Sequence, residues 1–303
     1  MDELSPSRLG TLIPLLAAFD AAARDEHITH AADLLGIPQS SLSRRIKTVE
    51  QLLGVQLFHQ VGRRVALTAS GRDLYERTNG LVRELGQAVD AVVGDADPDG
   101  GLVRFGFPLS LGPVSVAAMI ADFSARAPRI RMQLVQAHGN ALVEMVNDGR
   151  LDLAVMIPAP ADMPATVISE QRIHLFVRRD HSLASLKQVG IEELSNEVFV
   201  ANPPTYHLRK LLQAWCSEAN FMPRVSFEIT EFETLRAFVA HGLGIALLPE
   251  AEVPHPDLIS VPLAGNRNRS IGLVSSPYPP TAPARRFRLH VANSARNYLH
   301  AGK

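Results

Sequence analysis

The feature that most constrains the fold is a break at residues 94–101, which read Gly-Asp-Ala-Asp-Pro-Asp-Gly-Gly. Glycine, proline and aspartate in such density interrupt regular structure and are typical of a linker. Before the break the pattern is helical, apart from a short extended piece at 61–68. After it, strand-like and helical runs alternate at 102–107, 114–126, 131–136, 141–148 and 151–157. This alternation predicts an α/β C-terminal half with a largely parallel sheet, preceded by an all-α half.

Composition and the N-terminus restrict the function classes. A length of 303 residues allows two or three domains, and a net charge of -1 gives no global signal for nucleic acid. The single cysteine, Cys216, excludes an intramolecular disulfide framework. The apolar run at 12–19 could be the core of a signal peptide, but its helical spacing and the acidic residues around it favour an amphipathic helix. No apolar run reaches the roughly 20 residues of a membrane span. We expect a cytoplasmic protein.

A helix-turn-helix is predicted just before residue 50. Residues 29–36 form a short helical segment that ends at a glycine suited to a C-cap. Leu42, Ile46 and Val49 then lie at helical spacing, which makes Gln39 to Lys47 the candidate recognition helix. Polar side chains in its first turns can form hydrogen bonds with base edges or phosphates.

The local charge supports this interpretation. Between Pro38 and Arg72 the chain has six cations and one acid, Glu50. Clustered cations beside a recognition helix are typical of phosphate contact, although a solvated basic face would have the same composition. Arg63 and Arg64 lie in the extended piece at 61–68, which we interpret as a wing that flanks the groove.

The segment before the linker carries a heptad-like apolar stripe. Its residues recur at alternating steps of four and three, namely Leu74, Thr78, Leu81, Leu85, Ala88 and Val92. This spacing is that of a coiled-coil seam, and we favour a dimerisation helix. A helix that packs on its own domain would show the same stripe.

At this point the chain resembles a LysR-type transcriptional regulator. The matching residues are Phe19, Thr29, Ala31-Ala32, Leu34, Gln39, Leu42-Ser43-Arg44, Ile46, Leu53-Gly54, Leu57-Phe58, Arg63-Arg64, Leu67-Thr68 and Gly71. Two positions depart from the family pattern. Pro38 stands where the family usually has a hydroxyl that caps the recognition helix, and His59-Gln60 replaces the usual acidic-basic pair before the wing.

The resemblance implies a domain plan and a set of DNA contacts. It places a winged helix-turn-helix at 1–68, a linker helix for dimerisation at 69–93 and a hinge at 94–101. Two α/β subdomains of periplasmic-binding-protein type follow, the first formed by 102–161 and 268–303 and the second by 162–267. The residues expected to contact DNA are Thr29, Gln39, Ser40, Ser41, Ser43, Arg44, Lys47, Arg63 and Arg64.

The resemblance also implies partners. They are double-stranded operator or promoter DNA, a small-molecule effector between the subdomains, and a second copy of the chain through the linker helix. The family usually assembles as a homotetramer, and RNA polymerase is a further candidate partner. We expect no membrane partner, cofactor, metal or catalytic residue.

Loop positions suggest where the effector binds. Ligands of open α/β sheets bind at the carboxyl ends of strands, beside helix N-termini that favour anions. Ser110 follows the first predicted strand and precedes a helix that opens at Gly112-Pro113, and it matches a position where the family commonly has an effector-contacting hydroxyl. The same loop argument nominates Asn140, Asn202, Tyr206 and Thr234, for each of which capping or a turn is the alternative role.

Two other classes of function stay open. The histidines show no metal-ligand spacing, and the chain has no nucleophile elbow, phosphate-cradling loop or dinucleotide fingerprint. A solute-binding protein or an enzyme could use the same α/β scaffold, but neither needs a helix-turn-helix that binds in a DNA groove. Cys216 excludes a two-thiol sensor within one chain and leaves a single sensing thiol as an alternative.

Overall fold

The computed structural model describes residues 6–61, 64–96 and 99–299. The chain divides into two compact units, Met1–Val93 and Gly94–Lys303. Among these described residues, no helix combines the length and the apolar character that crossing a membrane would require.

The first unit consists of three helices, a β-hairpin and a long fourth helix. Its elements are α1 (Pro6–Asp25), α2 (Ile28–Leu34), α3 (Gln39–Leu53), the antiparallel strands β1 (Phe58–Val61) and β2 (Arg64–Leu67), and α4 (Ala69–Ala96). The turn after α2 contains Gly36, whose φ of 62° lies in the left-handed region that glycine adopts without a steric penalty. This confirms the expected helix, tight turn and second helix.

Small side chains let these helices approach closely. Ala18 and Ala22 of α1 and Ala31 and Ala32 of α2 are buried, and they pack with Leu42 and Ile46 of α3. A second cluster joins Phe19 to Val49, Leu57 and Leu67, and so attaches the hairpin to the helices. The apolar periodicity of α3 therefore serves to hold its polar face outward.

The long helix α4 runs further than the sequence predicts. It continues to Ala96, through Gly94, so the expected break at 94–101 begins too early. One glycine costs a helix only about 1 kcal/mol, so Gly94 is not enough to end α4. Near its start Leu74 packs on the core of its own unit, but Leu81, Leu85 and Val92 are exposed.

The second unit alternates strands and helices. Its first part comprises β3 (Gly101–Pro108), α5 (Ser115–Arg126), β4 (Ile130–Ala137), α6 (Gly139–Asn147), β5 (Leu153–Met156) and β6 (Ala165–Arg178). Then follow β7 (Val198–Ala201), α7 (His207–Glu218), β8 (Arg224–Glu228), α8 (Phe232–Ala240), β9 (Ala246–Pro249), β10 (Leu258–Pro262), β11 (Asn268–Ser275) and α9 (Ala282–Tyr298).

The sheet of this unit is mixed, so the expectation that its strands would be largely parallel is wrong; some pairs are parallel and others are antiparallel. The strand order is β10-β6-β11-β5-β3-β4, with β9 also paired to β6. Only β3 with its neighbours β4 and β5, and β7 with β8, are parallel. The strands β6 and β11 are antiparallel to their partners because they cross between two halves of the unit.

The crossing strands separate two cores. The first half of β6 pairs with β11, and its second half pairs with β9 and β10. One core contains Phe105, Phe123 and Phe287 from β3, α5 and α9, and the other contains Phe199, Leu212 and Trp215 from β7 and α7. Two subdomains joined by two strands leave a cleft where the carboxyl ends of β3, β4 and β5 meet the second core.

Candidate functional site

The polar face of α3 is the first candidate site. Six of the residues predicted to contact DNA lie on α3, of which Gln39, Ser40, Arg44 and Lys47 are exposed and Ser41 and Ser43 are half-buried. Thr29 is exposed near the start of α2. The opposite face of α3 is buried, so packing fixes which side chains this helix presents.

The start of α3 lacks a side-chain cap. Pro38 occupies the N-cap position and makes no side-chain hydrogen bond, although its carbonyl accepts from the N–H groups of Ser41 and Leu42 at 2.9 and 3.2 Å. The first N–H groups of an α-helix have no intrahelical acceptor. A phosphate at this helix start could accept from the N–H groups that have no intrahelical acceptor, and the positive end of the helix dipole would attract it.

The cations of this region lack acidic partners. Arg44, Arg45, Lys47 and Arg72 form no ion pair with any residue that the structure describes. The nearby acid, Glu50, accepts instead from the backbone N–H groups of Leu57 and Phe58 at 2.8 and 3.3 Å. Its charge is thus used to position the hairpin, and the cations are available to an external anion.

The hairpin corresponds to the predicted wing. Phe58 pairs with Leu67 and Val61 with Arg64, and the hydroxyl of Thr68 donates to the carbonyl of Gln56 at 2.7 Å. Arg63 lies outside the described residues, and so does the side chain of Arg64. Their expected phosphate contacts stay predictions.

The second candidate site is a cavity of about 740 Å³ in the cleft of the second unit. Volumes of this order suit a small molecule. The loops after β3 and β5, the starts of α6 and α7, and Arg269 of β11 contribute most of the lining. The residues are Pro108, Leu109, Ser110, Ala137, His138, Gly139, Asn140, Val143, Glu144, Met156, Ile157, Pro158, Pro160, Asp162, Thr205, Tyr206, His207, Leu208, Lys210, Phe232 and Arg269.

Three of the five residues predicted to contact the effector line this cavity. Ser110 is half-buried beyond the end of β3, Asn140 is exposed in the first turn of α6, and Tyr206 immediately precedes α7. They come from separate loops that the sheet brings to one edge.

The structure places Asn202 and Thr234 outside the lining. The side-chain amide of Asn202 is buried and donates to the carbonyl of Ile229 at 2.9 Å, which ties the end of β7 to the end of β8. Thr234 is exposed in the first turn of α8, where its backbone N–H donates to the capping carboxylate of Glu231 at 2.6 Å. Thr234 thus takes part through its backbone in helix capping, which was its alternative role, and the effector contacts expected of both residues stay predictions.

The N-terminus of α5, expected to attract an anionic ligand, already holds a carboxylate of this chain. Glu252, in the loop after β9, accepts from the N–H groups of Gly112, Val114 and Ser115 at 3.2, 2.9 and 3.3 Å. The geometry expected of an anion site is therefore present, but its occupant is internal. This contact also links the two subdomains.

Basic groups converge on another wall of the cavity. Arg269 of β11 is buried, and burial lowers its pKa to about 9. Burial, followed by the charges of Arg269 and Lys210, lowers the pKa of His207 as well. A bound anion would relieve both effects, because an opposite charge favours the protonated forms.

A polar contact spans the cavity. The hydroxyl of Tyr206 lies 3.0 Å from Nδ1 of His138, and the two rings meet edge to face. His138 precedes α6 in the first subdomain, whereas Tyr206 precedes α7 in the second. This pair and the Glu252 contact therefore both connect the first subdomain to the second.

Arg269, His207 and Lys210 line the cavity but are not among the residues predicted from the sequence. A local signal existed for Arg269, since an arginine near the start of an apolar strand is unusual. His207 and Lys210 follow the nominated Tyr206 directly, but only the fold shows that α7 starts at the cavity.

Neither a thiol site nor a metal site is apparent in the described part of the chain. Cys216 is fully buried, and burial raises its pKa to about 11. Such a thiol is protonated at neutral pH, and the thiolate is the reactive form. The described residues contain no group of three histidine, cysteine, aspartate or glutamate side chains placed to hold a metal ion.

Comparison with known proteins matches both units. The family model described as "LysR substrate binding domain" matches residues 96–296, and the one described as "Bacterial regulatory helix-turn-helix protein, lysR family" matches residues 13–72. Together the two models cover most of the chain.

Individual proteins agree with the family models. The uncharacterized HTH-type transcriptional regulator YybE of Bacillus subtilis (strain 168) is 34% identical over 237 residues, which is 78% of this chain and 81% of that protein. The transcriptional dual regulator GltC of the same organism is 30% identical over 276 residues, covering 89% and 92%. The solved structure of a full-length OxyR variant from Pseudomonas aeruginosa has a TM-score of 0.72 at 20% identity and covers 94% of each chain.

Proposed function

Because the chain belongs to the LysR family of DNA-binding transcriptional regulators, we propose that α3 reads operator DNA and that a small molecule in the cavity controls this binding. The observation that carries the proposal is the presence of two binding surfaces of different kinds on one chain. One is a helix face with cations that lack acidic partners among the described residues, and the other is a 740 Å³ cavity between two subdomains.

The exposed residues of α3 divide into two roles. Gln39, Ser40, Ser43 and Arg44 are in the first turns, where a helix in the major groove meets base edges. Lys47, Thr29 and Ser41 are placed for phosphate or sugar contact, and Arg63 and Arg64 would grip phosphate from the wing. Since Pro38 provides no cap, a backbone phosphate at the start of α3 would complete the helix end.

The stripe on α4 supports a dimer. Leu81, Leu85 and Val92 are 65%, 50% and 73% exposed, although their spacing is that of a buried seam. A second copy of the same helix would cover them. We extend this proposal to a homotetramer, to action in the cytoplasm where the operator DNA is, and to RNA polymerase as a partner at the promoter.

The effector would act by binding one arrangement of the subdomains better than another. A ligand shifts a conformational equilibrium only by its difference in affinity for the two states. The cavity has walls from both subdomains, so a change in their relative position changes its shape and the ligand's affinity.

A single-thiol redox sensor is the alternative mode of regulation. The likeness to the OxyR structure is at 20% identity, and at that level it shows the fold alone. Since Cys216 is fully buried with a raised pKa, we assign regulation to a ligand in the cavity and not to this thiol.

Duplex binding by the full chain tests the proposal. The protein would be used to select sites from a random duplex pool, and affinity for the selected site would be measured over a range of salt concentrations. We expect log K to fall by about 0.9 per phosphate contact for each decade of salt. Absence of duplex binding at low salt would favour the solute-binding or enzymatic class instead.

Two variants separate reading from charge. Arg44→Ala should weaken binding to the selected site by roughly 1–3 kcal/mol if the guanidinium reads a base, and by much less on random duplex. Lys187→Ala, an exposed cation of the second unit, is the matched control and should change neither value. An equal loss on both duplexes would assign Arg44 to phosphate.

A further inference from the structure

Three arginines of the second unit are buried, and they provide an internal comparison. Arg209 donates to a carboxylate oxygen of Glu228 at 2.9 Å, and Arg236 donates to one of Glu233 at 2.6 Å. Arg269 differs from both. Its Nε donates to the amide oxygen of Gln171 at 2.8 Å, and Gln171 is neutral.

No acid neutralises Arg269 within the described residues. Its Nη2 is buried and has no hydrogen-bond partner, and the residue forms no ion pair there. A buried charge without a counter-charge is costly, so buried arginines are normally paired, as Arg209 and Arg236 are. The missing counter-charge is most simply supplied from outside the chain.

The surroundings of Arg269 favour an anion as well. Arg269 lines the cavity together with His207 and Lys210. Nδ1 of His207 is likewise buried without a partner. His207 begins α7, whose N-cap residue Tyr206 makes no side-chain capping bond, so the helix directs its free N–H groups and positive dipole end to this wall.

The chain's own acids do not fill this place. Glu144 and Asp162 line the same cavity but are exposed, and neither pairs with Arg269. Glu252 is held at the start of α5 by three backbone N–H groups. The chain therefore supplies its own carboxylate to the start of α5, whereas none of the described acids pairs with Arg269.

We propose that the effector carries a carboxylate that pairs with the guanidinium of Arg269, assisted by His207, Lys210 and the start of α7. The carboxylate belongs to a small organic acid and not to a free inorganic ion, because apolar side chains such as Leu109, Val143 and Ile157 line the remainder of the cavity. This inference rests on the proposed function, since it assigns the ligand class of the same cavity.

The test uses carboxylates and their neutral amides as probes on the full chain. Acetate and acetamide, and benzoate and benzamide, are nearly isosteric pairs that differ in charge. Thermal unfolding would be followed by the fluorescence of Trp215, the only tryptophan, which is buried on α7 and therefore reports on this unit. We expect saturable stabilisation by the carboxylates over sodium chloride of equal ionic strength, and none by the amides.

Variants locate the effect. Arg269→Gln should weaken carboxylate binding by about 10- to 150-fold, the equivalent of one charge-assisted hydrogen bond. Lys210→Gln should weaken it less, and Lys187→Gln, an exposed lysine outside the cavity, should leave it unchanged. Both lysine variants are surface changes that fold, so the comparison holds even if the arginine variant is altered in stability.

Each result decides the proposal. Equal stabilisation by acid and amide, stabilisation that persists in Arg269→Gln, or no effect of any carboxylate beyond that of chloride would overturn it. Stronger stabilisation by inorganic phosphate than by either carboxylate would assign the site to a phosphate group and also overturn it. Duplex binding at low salt is measured separately, so the regulator function can stand when the carboxylate assignment fails.

Discussion

Replacing Arg269 with glutamine should stabilise the ligand-free protein, which is the opposite of what loss of a buried polar contact normally does. The guanidinium is buried, and desolvation alone lowers its pKa to about 9. At about 1.36 kcal/mol per tenfold change in proton affinity, this lowering corresponds to an unfavourable charge burial on the order of 5 kcal/mol.

Removal of this charge should therefore raise the free energy of unfolding in Arg269→Gln. The glutamine can keep a hydrogen bond with Gln171, because residues 269 and 171 are directly paired in the β6–β11 ladder. Packing against the longer arginine stem is lost, so we expect a net gain of about 1–3 kcal/mol. For a unit of this size, the gain would raise the Tm by about 2–12 °C.

Arg236→Gln is the matched comparison. This arginine is equally buried, but it donates to the carboxylate of Glu233 at 2.6 Å and to the carbonyl of Pro249 at 2.7 Å. Its loss leaves a buried carbonyl without a donor and should cost about 1–3 kcal/mol. Urea unfolding followed through Trp215 measures both variants. If Arg269→Gln destabilises the protein as much as Arg236→Gln does, Arg269 is a satisfied structural cation and the missing counter-charge is not real.

Four further outcomes can be checked. Gly71→Ala should unfold the hairpin region, since a Cβ there would lie 2.0 Å from the carbonyl oxygen of Leu57, and operator affinity and circular dichroism would report the loss. Cys216→Ser should keep the effector response and show no altered sensitivity to peroxide; a response abolished by this change would revive the thiol sensor. Glu252→Gln should lower the stability of the second unit by about 1–2 kcal/mol, measured by urea unfolding, because a charged acceptor at the start of α5 becomes neutral. Finally, His207 has a lowered pKa in the folded state, so the unfolded chain takes up its proton first and stability should fall as pH drops below about 6.5. The fall should be smaller in His207→Asn, with His174, whose pKa is also lowered by burial, contributing the remainder.

The features that could be predicted from the sequence are those encoded by near neighbours. Gly36 and Pro38 mark the turn before α3, and the spacing of Leu42, Ile46 and Val49 determines its buried face. Helix-breaking residues predicted the end of α4 less reliably, because Gly94 lowers the stability of the helix without ending it. The alternation of strands and helices predicted the α/β class, but not that β6 and β11 would cross between halves.

The features that could not be predicted depend on distant residues. Arg269 and Gln171 are 98 positions apart, and Glu252 caps a helix 137 to 140 positions earlier. An arginine in a strand and a glutamate in a loop have no local sign of these contacts. For Asn202 the local pattern suggested a ligand site, because a side-chain amide follows a strand. In the structure this amide donates to the carbonyl of Ile229 at the end of the neighbouring strand.

The uncompensated charge also bears on how a ligand could control DNA binding. Glu252 and the Tyr206–His138 pair hold the observed arrangement of the subdomains, and neither involves Arg269. A carboxylate at Arg269 therefore adds to the stability of whichever arrangement places all three basic groups around it. A hundredfold change in the population of that arrangement needs a difference of about 2.8 kcal/mol in ligand binding free energy between the two arrangements. Pairing with Arg269 drives the response to the extent that the contact forms in one arrangement and not in the other. The ratio of operator affinities with and without a carboxylate effector should accordingly approach one in Arg269→Gln while affinity without the effector is kept, and a full response in that variant would place the driving contact elsewhere in the cavity.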